Sequence, residues 1–254
     1  LYVHATESTV DPGKAAASAE FLGNAVPGAS HMNHMPSHTW NEIGRWNDGV
    51  RANIQAWHSD LKAGIGEGFA IYPDHNLHML LFAASNHSQG AAATQAGKDY
   101  AKSTGATLYQ VLTLLPFARS DEIAAVDKRP EREVPAGLWD FAQGYAKLRA
   151  GDLDFARLYL SRVQKAASTS KQSFRAHEAA KLLGIAGNIL EGEIARFSNA
   201  VKEVQTELEA LHLAMTGGDV PSEFGAFLDV HWMILTDPTL SETPKKIILD
   251  QRCN

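Results

Sequence analysis

The sequence predicts an all-α fold, a solenoid of stacked antiparallel helix pairs. Two observations predict it: helical segments follow one another with only short breaks, and one turn pattern returns along the chain. The clearest copies are Gly44-Arg-Trp-Asn-Asp-Gly49-Val and Ala195-Arg-Phe-Ser-Asn-Ala200-Val, which correspond residue class for residue class. A third is Gly151-Asp-Leu-Asp-Phe-Ala156. In each, a tight turn precedes a large apolar residue two positions on and a small residue five positions on. The small residue lets the second helix of a pair approach the first closely.

Taken in order, helices are expected over about 1–9, 12–25, 30–43, 47–61, 74–87, 89–103, 106–115, 120–127, 136–149, 152–168, 172–191, 195–214 and 222–235. Pro27-Gly28 and Gly217-Gly218 are turn signals, and Gly64 to Gly68 is a flexible loop. That loop lacks the Lys-Ser/Thr of a phosphate loop, and no strand precedes it, so nucleotide binding there is set aside. Pro116, Pro130 and Pro135 mark an irregular linker. The expected organisation is residues 1–115 as histidine-rich repeats, 116–135 as linker, and 136–254 as further repeats and a tail.

Composition narrows the function classes. Of the 254 residues, 44% are hydrophobic and 20% charged, ordinary for a globular chain. A net charge of −6 argues against a nucleic-acid partner. No apolar run reaches the roughly 18 residues of a membrane span. The single cysteine, Cys253, permits no intrachain disulfide and leaves the compartment open. It also removes thiolate zinc motifs, so a metal is expected to be held by nitrogen and oxygen ligands, with a methionine sulfur from Met32 or Met35 as the one soft donor nearby. Residue 1 is Leu and no signal-peptide pattern follows, so the chain is expected to be a fragment whose upstream portion supplies further repeats or a partner surface.

Eight of the eleven histidines fall in the first 87 residues, about twice an even share. His31, His34 and His38 share one helical face, and His34 and His38 stand at i and i+4, a spacing that lets two imidazoles grip one ion. His75 and His78 repeat the His-x-x-His pattern 44 residues after His31 and His34. His4 precedes His38 by 34 residues, and Glu7 lies one turn on from His4. His58, His87, His177, His212 and His231 stand apart and are read as surface or packing residues.

The turn pattern resembles the tetratricopeptide repeat family, with a glycine turn between antiparallel helices and then a small residue where they touch. Gly144, Gly151 and Ala156 fit its spacing. Gly151 to Ala195 and Gly44 to Ser88 are 44 residues apart, longer than the family period of about 34. Residues 2–90 are also similar to a histidine-rich set of bacterial repeat proteins. The segments that carry this are His4-Ala-Thr-Glu7, Gly28-Ala-Ser-His31-Met-Asn-His34-Met-Pro-Ser-His38 and Tyr72-Pro-Asp-His75-Asn-Leu-His78. The tetratricopeptide resemblance, with the repeat anchored on Gly49, implies that His31, His34, His38, His75, His78 and His4 line a concave groove on first helices. Corresponding positions later hold Leu138, Phe141 and Tyr145, then Leu182, Ile185 and Ile189, so the histidines are not a general demand of the solenoid.

The expected function is a metal-binding repeat protein with a mono- or dinuclear site at His4, Glu7, His31, His34, His38, His75 and His78. The expected ion is a transition metal, copper first and zinc or iron next. Oxidoreductase chemistry is favoured over zinc hydrolysis, with Glu7 as ligand or general base in the latter. The alternative is a scaffold whose groove holds a peptide or partner protein without metal.

Overall fold

A computed structural model describes residues 1–66, 70, 72–174 and 177–216, with side chains described through residue 206. The fold is all-α. The described residues form two compact units, one of residues 1–119 and a second that begins at Ser120.

In the first unit the helices are α1 (Tyr2–Glu7), α2 (Ala16–Ala25), α3 (Ser30–His34), α4 (Pro36–Glu42), α5 (Trp46–Gly64), α6 (Pro73–Asn86), α7 (Gly90–Thr104) and α8 (Leu108–Leu114). The single helix expected over 30–43 is two. Pro36 has no N–H to bond four residues back, so the ladder breaks beside Met35, whose own N–H still reaches the His31 carbonyl at 3.0 Å. Met35 itself keeps helical angles, φ −49° and ψ −38°.

The recurring turn has a common physical form. Gly44 takes φ +75°, and Arg45 N–H reaches back to the Trp40 carbonyl at 2.8 Å. Gly151 takes φ +81°, and Asp152 N–H reaches the Lys147 carbonyl at 2.9 Å. Ser88 takes φ +58°, and Gln89 N–H reaches the Ala84 carbonyl at 2.9 Å. Each is a left-handed helix stop, which glycine adopts freely and serine only at a cost. Because three residues separate α6 from α7, the two helices fold back antiparallel. Leu77, Leu80, Leu81, Ala83, Ala84, Ala93, Ala96 and Val50 are buried where α5, α6 and α7 meet. A smaller core of Val3, Ala15, Ala19, Met35 and Trp40 ties α1 and α2 to α4.

The second unit holds α9 (Ser120–Ala124), α10 (Glu133–Arg149), α11 (Leu153–Thr169) and α12 (Ala179–Thr216). A two-residue ladder pairs Ser173–Phe174 with His177–Glu178 just before α12. Asp152 caps α11 by accepting the Phe155 N–H at 3.3 Å. Leu148, Ala156, Leu160, Leu190 and Ile194 form the core, packed by Phe141, Tyr145, Leu153 and Phe197.

One expected turn is absent. The segment beginning at Ala195 does not interrupt the helix, and α12 runs through it without a stop. Gly44 and Gly151 reach φ above zero at little cost, whereas alanine is the best helix former and resists that geometry. The helices expected over 172–191 and 195–214 are therefore one. The helix expected over 222–235 and the tail after it lie outside the described residues. No described helix is long and apolar enough to cross a membrane.

Candidate functional site

The histidines of α1, α3, α4 and α6 meet inside the first unit. His34 and His75 rings are 4.6 Å apart between centroids, His34 and His38 4.7 Å, and His4 and His38 4.5 Å. His38 also stacks on His75 at 5.7 Å, and His31 on His34 at 5.5 Å. Among the described residues, two groups offer ligand atoms within 4.8 Å of one another: His34 with His38 and His75, and His4 with Glu7 and His38. His78 faces elsewhere along α6, against the rings of Tyr109 at 4.4 Å and Tyr100 at 6.2 Å.

Hydrogen bonds fix the tautomers of the two central rings. Asn53, on α5, donates its Nδ2–H to the Gly49 carbonyl at 2.8 Å. Its Oδ1 is therefore the atom facing His34 Nδ1 at 2.7 Å, and His34 Nδ1 carries the hydrogen. Glu7 Oε2 lies 2.7 Å from His38 Nδ1, so that nitrogen also donates. The other Glu7 oxygen is 3.1 Å from His4 Nδ1. Both remaining nitrogens, His34 Nε2 and His38 Nε2, are left as lone-pair atoms, and they face each other at 2.9 Å.

Burial sets the electrostatics. His34 is fully buried, and desolvation carries its pKa down to about 3, opposed by the Asn53 hydrogen bond. Desolvation also lowers His38, to about 4, although the Glu7 carboxylate works against the shift. His31 is lowered by its partial burial and then by His4. Its Nδ1 is buried without a hydrogen-bond partner among the described residues. His34 and His38 are thus neutral bases at pH 7, and a proton placed on either is disfavoured.

Beneath it runs a buried polar layer. Ser59 donates to Asn33 Oδ1 at 3.1 Å, and Asn76, beside His75, donates to Asp60 Oδ2 at 2.9 Å. Burial raises the Asp60 pKa.

Two residues at this site were not expected from the sequence. Asn53 stands on the buried face of α5 with Gly49, Val50 and Ala56. An amide inside that apolar period is the signal that marks it. Tyr72 takes φ +58° immediately before Pro73, a costly conformation for an aromatic residue, and its ring lies 5.5 Å from His31.

Comparison with known proteins points elsewhere in the chain. Residues 175–254 match the family described as PEP-utilising enzyme, N-terminal. A phosphoenolpyruvate-protein phosphotransferase of Cupriavidus necator is 43% identical over 65 residues. That stretch is 26% of this chain and 11% of the relative, so the chain spans a small part of that protein's length. No solved structure matches. These findings overturn the expected membership in the tetratricopeptide repeat family and the expected function as a metal-binding repeat protein, whether copper or iron oxidoreductase or zinc hydrolase. The physical reason for the misreading lies at residues 195–200, where a turn pattern was matched by residue class alone. Those residues are helical and fall in the stretch similar to the PEP-utilising family.

Proposed function

We propose that the chain takes part in phosphoryl transfer from phosphoenolpyruvate to protein, its C-terminal region supplying a helical surface that meets a partner protein. The observation that carries this reading is the 43% identity over 65 residues to a phosphoenolpyruvate-protein phosphotransferase, in a chain whose residues 175–254 match the PEP-utilising N-terminal family. The match covers 11% of the relative, which is too little for a whole transferase. A docking surface is what a helix of this length can contribute.

The described part of α12 supports that role. Ile185 and Ile189 are 59% and 49% exposed, one turn apart on the same face. Adjacent exposed apolar side chains are a feature of protein-binding surfaces. Leu183, Leu190 and Ile194 hold the opposite side of the helix in the core, so the exposed face stands on a fixed support.

Competition tests the reading. Transfer of label from radioactive phosphoenolpyruvate to the acceptor protein is reconstituted with the Cupriavidus necator phosphotransferase, and this chain is added in excess. The expected result is a several-fold lower initial rate, relieved by Ile185→Asp with Ile189→Asp. An unchanged rate at about 100 µM chain, the weak end of specific association, rejects it.

A further inference from the structure

The first unit, outside the stretch similar to the PEP-utilising family, carries two imidazole lone pairs aimed at each other inside the protein. His34 Nδ1–H is committed to Asn53, and His38 Nδ1–H to Glu7. The facing Nε2 atoms, 2.9 Å apart, have no hydrogen to share. Two lone pairs at that distance repel, and only a cation between or beside them turns the contact into attraction.

A proton is one such cation, and it fits poorly. It makes one ring an imidazolium inside the protein, where His34 is fully buried and the His38 side chain only 11% exposed. A metal ion fits better. Two nitrogens bonded to one ion at about 2.1 Å, with angles between square and tetrahedral, stand roughly 3.0–3.4 Å apart. The observed 2.9 Å is close to that separation. His75 offers a third ligand atom within 4.8 Å of the other two, within reach of a modest ring rotation.

We propose that His34 Nε2, His38 Nε2 and a ring nitrogen of His75 bind one divalent transition-metal ion, with Asn53 and Glu7 orienting the first two rings from behind. Neutral imidazoles suit nitrogen-preferring first-row ions, whereas calcium and magnesium want oxygen ligands. The Glu7–His38 pair has the form in which a carboxylate holds the far nitrogen of a ligating histidine, fixing its tautomer and raising its basicity. His4 extends this outer layer through its own contact with Glu7. His31 lies beside the cluster, stacked on His34, and His78 lies against Tyr109. The ligand set is thus three histidines drawn from α3, α4 and α6, with α1 and α5 as supports.

The test is calorimetric titration of the full chain with Zn²⁺, after purification without a metal column and treatment with EDTA. The expected result is one ion per chain with Kd below about 1 µM. His38→Ala weakens binding by about 100-fold or more, and Glu7→Gln by about 10-fold. His58→Ala leaves binding unchanged. Binding weaker than about 100 µM by natively helical protein overturns the proposal, as does unchanged affinity in His38→Ala. Should His38→Ala lose its helical circular dichroism, ¹⁵N NMR of the unaltered chain decides: Zn²⁺ shifts the Nε2 resonances of His34 and His38, and unmoved resonances overturn the assignment. None of these readouts involves phosphoryl transfer, so they fail or succeed independently of that reading.

Discussion

Glu7 on α1 and His38 on α4 are joined by a 2.7 Å contact between Oε2 and Nδ1, which links two helices separated by 28 residues of chain. The carboxylate raises the His38 pKa against a larger lowering by burial. Glu7→Gln removes the charge and keeps an oxygen acceptor. The titration midpoint of His38 is then expected to fall further below about 4, as followed by NMR of its ring C–H in the presence of EDTA. An upward movement shows that Glu7 does not act on His38 in solution.

Acid stability follows from His34. Its folded pKa, about 3, lies below the ordinary 6.5, so between these values the unfolded chain binds more protons than the folded one. Stability therefore rises with pH through this window. The full value is present above about pH 7 and is lost as pH falls from 6.5 toward 3. His38 adds in the same direction, toward about 4, and His31, His38 and His75 are the charges that oppose protonation of His34. With EDTA present, the melting temperature of the first unit is expected to drop by on the order of 5–10 °C between pH 7.5 and pH 5. A flat profile shows that these rings are hydrated in solution.

Much of this site was legible in the sequence, and the reason is periodicity. His34 and His38 at i and i+4, and His75-x-x-His78 repeating His31-x-x-His34 44 residues on, required only that three helices neighbour one another. What was not legible is the difference between a ring that faces the cluster and one that merely shares its helix. His75 and His78 are one turn apart, yet the first meets His34 and the second meets Tyr109. The roles of Glu7 and Asn53 behind the rings depend on which nitrogen points where, and spacing does not carry that information. The all-α fold was legible for the same periodic reason. The absent turn at Ala195 was misread because residue class stood in for backbone geometry: alanine matches glycine in size but not in φ.

In the second unit, Arg129 holds Asp140 through two hydrogen bonds, Nε to Oδ1 at 3.0 Å and Nη2 to Oδ2 at 2.7 Å. Asp140 is buried, and Arg162 stands 4.0 Å away as a second cation. Arg129→Ala leaves the carboxylate with the more distant partner alone. Because Arg129 is about half exposed, solvent moderates the loss, and destabilisation of about 1–2 kcal/mol is expected in urea unfolding. A change below about 0.3 kcal/mol shows that Arg162 or water replaces the pair.

Glycine positions in the helices of the second unit separate packing from propensity. Alanine is favoured over glycine inside a helix by about 1 kcal/mol. At Gly144 on α10, a Cβ meets Leu190 Cδ2 at 2.7 Å and Tyr159 Cβ at 3.0 Å. The leucine tip can move, but the Tyr159 Cβ is fixed to the α11 backbone, so the helices must part. Overpacking of this kind costs about 1–3 kcal/mol, which exceeds the propensity gain. Gly144→Ala is therefore expected to destabilise the unit by about 1 kcal/mol. At Gly192 on α12 a Cβ meets nothing within 4 Å, and Gly192→Ala is expected to stabilise by about 0.5–1 kcal/mol. Urea unfolding followed by helical circular dichroism measures both. The opposite signs are the diagnostic: equal stabilisation at the two sites means that α10 and α11 do not approach at Gly144 as closely as 3.0 Å.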